Sequence, residues 1–240
     1  MPEPLPSVHE EDCETWEAYA RQSCKRWVFN KLEVALRQGL AAGPAGTAPP
    51  RTGTYVIRPI YNIFGMGISA RKFEYDTSMR EAFLNYAEVE PGHFWCEWLD
   101  GPHRSIDYRK FDDGKWRCTS MTEGRHRSDD NLVQFDHWVK LDPNDAPKFW
   151  QLPIFPSLSD LVAFNVETRS GKVIEIHLRL GNDPFDHLPV GTRITPVWDG
   201  ETVPDGAEFL GNFYPDLEQY GASGRLPNIR SGYIIERPVT

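Results

Sequence analysis

The residues most suggestive of chemistry in this 240-residue chain lie in FNVETRSGKVIEIHLRL, residues 164–180. Two β-rich arms, LVAFNVET (161–168) and VIEIHLRL (173–180), flank Arg169-Ser170-Gly171-Lys172, a turn of hairpin form. Period-two alternation places Val173, Glu175, His177 and Arg179 on one face of the returning arm, and Ile174, Ile176, Leu178 and Leu180 on the other. Symmetry about the turn brings Glu167 or Asn165 beside Glu175. Two carboxylates one strand spacing apart repel unless a cation lies between them. Oxygen donors of this kind suit Mg²⁺, which takes one or two carboxylates together with substrate phosphates. The plainer alternative is a solvated edge pair neutralised by Arg169, Arg179 or Lys172.

Two further segments could serve a nucleotide. YVIRPIYNIFGMGIS (55–69) ends a strand on a cation, Arg58, and continues into Gly65-Met66-Gly67. Glycines let backbone N–H groups approach phosphate oxygens, and a guanidinium forks onto them; a lone Gly-x-Gly is by itself more often a hairpin turn. In FWCEWLDG (94–101), Glu97 stands among aromatic residues before a turn, as in an adenine slot or in a core strand with one outward charge. KFDDG (110–114) is one residue too long for the Lys-x-Asp-Gly nucleophile of covalent nucleotidyltransferases, and a hairpin turn accounts for it. Arg125, His126 and Arg127 form a short basic run, suited to an anionic acceptor or simply solvated.

Few helices are needed to position these residues. Cys13 to Gln38 lacks Gly and Pro and carries apolar residues at helical spacing, which predicts two helices or one bent helix. Gly39 to Gly53 reads as a loop, Thr54 to Ile60 as a strand and Met79 to Glu88 as a short helix. Arg104–Phe111 and Trp116–Thr122 form a hairpin about Asp112-Asp113-Gly114-Lys115, and RITPVW and GYIIER are later strands. Antiparallel arms with Gly-rich connections point to an α+β fold.

Composition narrows the classes. A net charge of −9 argues against an extensive nucleic-acid surface. The longest stretch without a charged residue, Gln38 to Pro50, has 13 residues, so no membrane helix is expected. Met1 to Asp12 carries four acidic residues and no signal-peptide pattern, and the four cysteines have no zinc or CxxC spacing. A cytoplasmic protein is the expectation.

Taken in order, the segments resemble the ATP-grasp superfamily. NKLEVALRQGLAAGP (30–44) is similar to the helix carrying a phosphate-binding lysine, here Lys31. YVIRPIYNIFGMGIS resembles the strand and glycine-rich loop of the second nucleotide-binding cation, here Arg58 with Gly65, Met66 and Gly67. CEWLDGPHRSIDY (96–108) resembles the hinge that reads adenine, Cys96, Glu97, Trp98 and Leu99, with His103 where a ribose-binding Glu is usual. FNVETRSGKVIEIHLRLG resembles the last strand pair, with Glu167, Glu175 and His177 as metal ligands and Arg179 at the position of the conserved-type arginine. An imidazole in place of an amide oxygen could favour Mn²⁺ over Mg²⁺.

The resemblance implies two antiparallel-sheet subdomains with ATP between them, and an ADP-forming ligase that joins a small carboxylate or peptide to an amine through an acylphosphate. Arg58 and Arg179 would stabilise the transferring phosphoryl group. The alternative is a nucleotide-binding or interaction module with weakened turnover. The implied organisation is a flexible 1–12, a helical segment and linker at 13–53, the ATP-grasp core at 54–182, and an extension, 183–240, packed on that core.

Overall fold

The computed structural model describes residues 19–61, 70–84, 91–128, 131–152, 154–181, 185–198, 200–211 and 230–238. They form two antiparallel sheets with little helix. The smaller sheet contains β1 (Ala42–Pro44), β2 (Gly53–Pro59), β3 (Arg71–Tyr75) and β4 (His93–Glu97), in the order β1-β4-β2-β3. The larger contains β5 (His103–Lys110), β6 (Trp116–Ser128), β7 (Asn131–Lys140), β8 (Ala163–Arg169), β9 (Lys172–His177), β10 (Arg193–Trp198), β11 (Glu208–Gly211) and β12 (Arg230–Glu236). Its order is β11-β12-β10-β7-β6-β5-β8-β9. The α-helices are short: α1 (Lys31–Arg37) follows a 3₁₀ turn at Ser23–Phe29, and α2 is Arg80–Leu84.

Alternation on β5 and β8 explains where the main core sits. Ile106, Tyr108, Phe164 and Val166 point to one face, where they meet Val28, Phe29, Val34 and Leu158. The opposite face carries polar residues: Ser105 and Asp107 on β5, Asn165 and Glu167 on β8. The smaller sheet has cores on both faces, Phe94 and Cys96 with Ala35 and Leu40 on one, Tyr55, Ile57, Tyr75 and Trp95 on the other.

Several expectations are refined. The N-terminal helical region breaks at Asn30, and Gly39–Gly53 is not all loop, since β1 pairs with β4. The short helix begins at Arg80, and 85–90 lie outside the described residues. Both hairpins form. Ser170 and Gly171 have φ of 51° and 74°, the paired positive values of a type I′ turn. The expected alternation along the returning arm fails near its start. Glu167 pairs with Glu175 but Thr168 pairs with Val173, so Ile174 is bulged out. Val173 therefore turns into the core with Ile176, and Ile174 joins Glu175 on the other face. Strands β10 and β12, with β11 outside them, lengthen the larger sheet beyond β7.

Candidate functional site

The polar face of the larger sheet opposes the smaller sheet across a cleft of about 900 Å³, its open mouth included. Helix α1 holds the two layers in relation. Asn30 Oδ1 caps it by accepting from the Glu33 N–H at 3.0 Å, and the Lys31 N–H donates to Ile60 O at 3.0 Å, tying the helix start to the end of β2. Val34 enters the core under the larger sheet and Ala35 that of the smaller. Lys31 is thereby buried at the junction, with Nζ 2.8 Å from Glu175 Oε2.

The end of α1 also repairs a sheet edge. Gln38 Nε2 donates to Val173 O, and the Val173 N–H donates to Gln38 Oε1, both at 2.8 Å. The side-chain amide takes the place of a neighbouring strand beside the bulge that turns Glu175 into the cleft.

Arg58 stands opposite Phe94 on β4, its guanidinium 5.2 Å from the ring centre. Its Nε is buried without a hydrogen-bond partner among the described residues. Burial lowers the Arg58 pKa, while the electrostatic influence of Cys96, Glu175 and Glu167 opposes that shift. A buried donor left open toward a cleft is suited to an anion supplied from outside.

Strand β4 leaves the smaller sheet and β5 enters the larger, so residues 98–102 are the crossing between them. Gly101 has φ +125°, a conformation that favours glycine, and a Cβ there would lie a tight 3.2–3.4 Å from Ser170. Cys96, Glu97, Trp98 and Leu99 line the cleft beside this crossing. The Glu97 carboxylate is spent elsewhere, accepting from the Ala41 N–H at 2.9 Å and from Arg51 Nη2 at 3.2 Å. Trp98 lies against two cations, Arg169 at 4.1 Å and Lys72 at 4.9 Å from its ring. Burial pushes the Cys96 thiol up to about 11, so it stays protonated.

The acids meet as a cluster. Glu167, Glu175 and His177 each offer one donor atom, and these lie within 4.8 Å of one another. The register settles the choice between Glu167 and Asn165: Asn165 pairs with His177 and donates instead to Asp107 Oδ1 at 2.8 Å. His103 Nε2 is 3.0 Å from Glu167 Oε2, and its ring packs on Phe135 and Trp138. Burial alone would raise the Glu167 pKa, but the hydrogen bond from His103 and the charge of the His103 and His177 rings hold it well below the ordinary value.

Other expected residues fall elsewhere. Arg179 lies past the end of β9, its Nη1 donating to Leu180 O at 2.9 Å, and it does not line the cleft. Gly65, Met66 and Gly67 lie outside the described residues. In the basic run only His126 lines the cleft; Arg125 is exposed and Arg127 pairs with Glu201 at 2.7 Å. Burial, then the charges of His103 and Arg169, lower His126 to about 4, so its ring is neutral at pH 7. The cleft positions of Phe135 and Ile174 gave no local sequence signal, because each depends on strand pairing or on the β9 bulge.

No family model and no curated protein sequence matches the chain. Solved structures do. N5-carboxyaminoimidazole ribonucleotide synthetase from Thermus thermophilus superposes with a TM-score of 0.53 at 13% identity, over 93% of this chain and 73% of that one. N5-carboxyaminoimidazole synthetase from Staphylococcus aureus, complexed with ADP, gives 0.50 at 13% identity, over 88% of this chain and 66% of that one. The chain has the ATP-grasp fold. It spans about two thirds to three quarters of these relatives. Within this ATP-grasp architecture the cleft lies where the two sheets face each other, and the β4–β5 crossing forms part of its wall. No helix among the described residues is long and apolar enough to cross a membrane.

Proposed function

We propose that this protein is an ATP-dependent ligase that activates a small carboxylate or peptide for capture by an amine-type nucleophile. One observation carries the reading: Lys31, Arg58, Glu167 and Glu175, from segments far apart in sequence, line a single cleft, with His177 beside the acids. Cations and acids held together in one cleft suit a metal–phosphate ligand, in which the acids face the metal and the cations face phosphate oxygens. The ATP-grasp fold and the ADP found in the Staphylococcus relative support the same reading.

A carboxylate oxygen of the substrate attacks the γ-phosphorus and ADP leaves. The amine then attacks the acyl carbon, inorganic phosphate departs and the nitrogen loses a proton. Lys31 and Arg58 hold the phosphates, and the backbone of Cys96 to Leu99 borders the base. A divalent metal held by Glu167, Glu175 and His177 would neutralise phosphate charge. The donor chemistry of the three side chains fits such an ion. Gly65-Met66-Gly67 is assigned to the phosphates on its sequence. The phosphoryl-stabilising task suggested for Arg179 passes to Arg58, which faces the cleft. Residues 54–182 would form the core of this unit, with 183–240 as its extension.

The test is release of ADP and phosphate from ATP with Mg²⁺ or Mn²⁺ and a panel of amino acids and peptides. Turnover that disappears in a folded Glu175→Gln variant is the expected result. ATP binding without turnover across a broad panel would overturn the ligase reading.

A further inference from the structure

His177 is more than nine-tenths buried, yet neither ring nitrogen makes an ordinary hydrogen bond to a described residue. Nδ1 is enclosed without a partner among the described residues. Nε2 lies 3.6 Å from Glu175 Oε1 and 3.8 Å from Glu167 Oε1, beyond good hydrogen-bond distance. The ring is aimed at two carboxylates that it does not reach.

The carboxylates are arranged with the same bias. Glu167 has its Oε2 on His103 Nε2, at 3.0 Å, and Glu175 has its Oε2 on Lys31 Nζ, at 2.8 Å. Each acid thus has one oxygen spoken for and the other, Oε1, turned toward His177 Nε2. Donors about 2.1 Å from a shared octahedral ion, at right angles, lie about 3 Å apart. Small side-chain movements bring the observed separations to that value.

We propose that Glu167 Oε1, Glu175 Oε1 and His177 Nε2 form a single three-donor site selective for a first-row transition dication of the Mn²⁺ to Zn²⁺ series over Mg²⁺. Mg²⁺ favours an all-oxygen shell and retains water, whereas imidazole nitrogen binds the later ions of the series more tightly. Three protein donors leave positions open for water or phosphate oxygens. His103 and Lys31 act as positioning residues, since each fixes the oxygen that the metal does not use.

The inference deepens the proposed function at the same site, but its test requires neither ATP nor turnover. Mn²⁺ is titrated into the ligand-free protein and followed by electron paramagnetic resonance, with Mg²⁺ as competitor. Pulsed spectra report whether a nitrogen is bound. The expected results are displacement only by Mg²⁺ in more than about tenfold excess, and a ¹⁴N modulation that changes to the ¹⁵N pattern in ¹⁵N-histidine protein. That signal disappears in His177→Asn, with Mn²⁺ affinity lowered about 10–100-fold. The isotope comparison shows without a variant whether any histidine nitrogen is bound, so poor folding of His177→Asn would not protect the proposal from a negative result.

No histidine nitrogen in the Mn²⁺ spectrum, or equal affinity for Mg²⁺ and Mn²⁺, would overturn it. Nitrogen-coordinated Mn²⁺ in a protein that never turns over ATP would sink the ligase reading and leave this one standing. Turnover with Mg²⁺ and no nitrogen signal would do the reverse.

Discussion

Lys31 and Arg58 bring the same charge into the same cleft under opposite terms. Lys31 is matched by Glu175 at 2.8 Å, whereas Arg58 Nε has no hydrogen-bond partner among the described residues. Replacing Lys31 by Met leaves a buried carboxylate uncompensated, which costs about 3–5 kcal/mol. The double variant Lys31→Met/Glu175→Gln should recover most of that in urea unfolding without recovering ATP binding. Arg58→Met should behave differently. Unfolding of the ligand-free protein stays unchanged or improves, because a poorly satisfied buried cation has been removed. Affinity for a non-hydrolysable ATP analogue, measured by calorimetry, should fall about 10–100-fold, the value of one charge-assisted hydrogen bond. Equal losses of ligand-free stability in both variants would mean that Arg58 is structural.

At the scale of elements, the decisive feature is the edge of β9. A bulge at Ile174 turns Val173 inward, and the Gln38 amide takes both backbone groups of Val173. Gln38→Leu removes both hydrogen bonds with Val173 and a third to Val34 O, leaving those backbone groups without their side-chain partner, a loss of about 2–3 kcal/mol in denaturant unfolding. Hydrogen exchange at the Val173 amide should quicken more than at its neighbours in β8. Gln38→Glu keeps the acceptor but opposes a carboxylate to Val173 O, so it should restore little. The hairpin and its Ser-Gly turn were legible in the sequence, but the turn alone would set Glu167 opposite Ile174, so without the bulge the choice of Glu167 or Asn165 beside Glu175 stayed open. The bulge was not legible, because Val173 and Ile174 are alike in size and polarity and only packing against α1 and the main core chooses between them. For the same reason the sequence drew attention to Arg169, Arg179 and Lys172 as neutralisers of Glu175, whereas Lys31, 144 residues away, occupies that position.

The whole molecule carries these local choices in its response to pH. Much of the fold was legible: the hairpins, the late strands and the crossing at Trp98–Gly101 announce themselves through turn residues and alternation. The burial of a polar sheet face between two layers was not, and that burial shifts the titrations. Asp107 is raised to about 6, chiefly by burial, although Asn165 and the Gly181 N–H donate to it. Between the unfolded carboxylate value, about 4, and about 6 the native state holds the extra proton, so this group makes stability fall as pH rises. His126 is lowered to about 4, by burial and then by the charges of His103 and Arg169. Between about 4 and its unfolded value, about 6.5, the unfolded state holds the extra proton, so His126 makes stability rise with pH. Each contribution is on the order of 2–3 kcal/mol, that of His126 reduced toward the lower figure by solvent screening. The two nearly cancel over the same window, and the depressed Glu167 carboxyl acts mainly below it. Wild-type urea midpoints should therefore vary little between about pH 4 and pH 6.5. Asp107→Asn, which keeps an oxygen for Asn165 and Gly181, should unmask the histidine and make stability fall by about 2 kcal/mol on acidification. His126→Phe, which preserves the stack on Phe135, should give the opposite slope. Parallel profiles for the wild type and both variants would show that neither buried group governs acid stability.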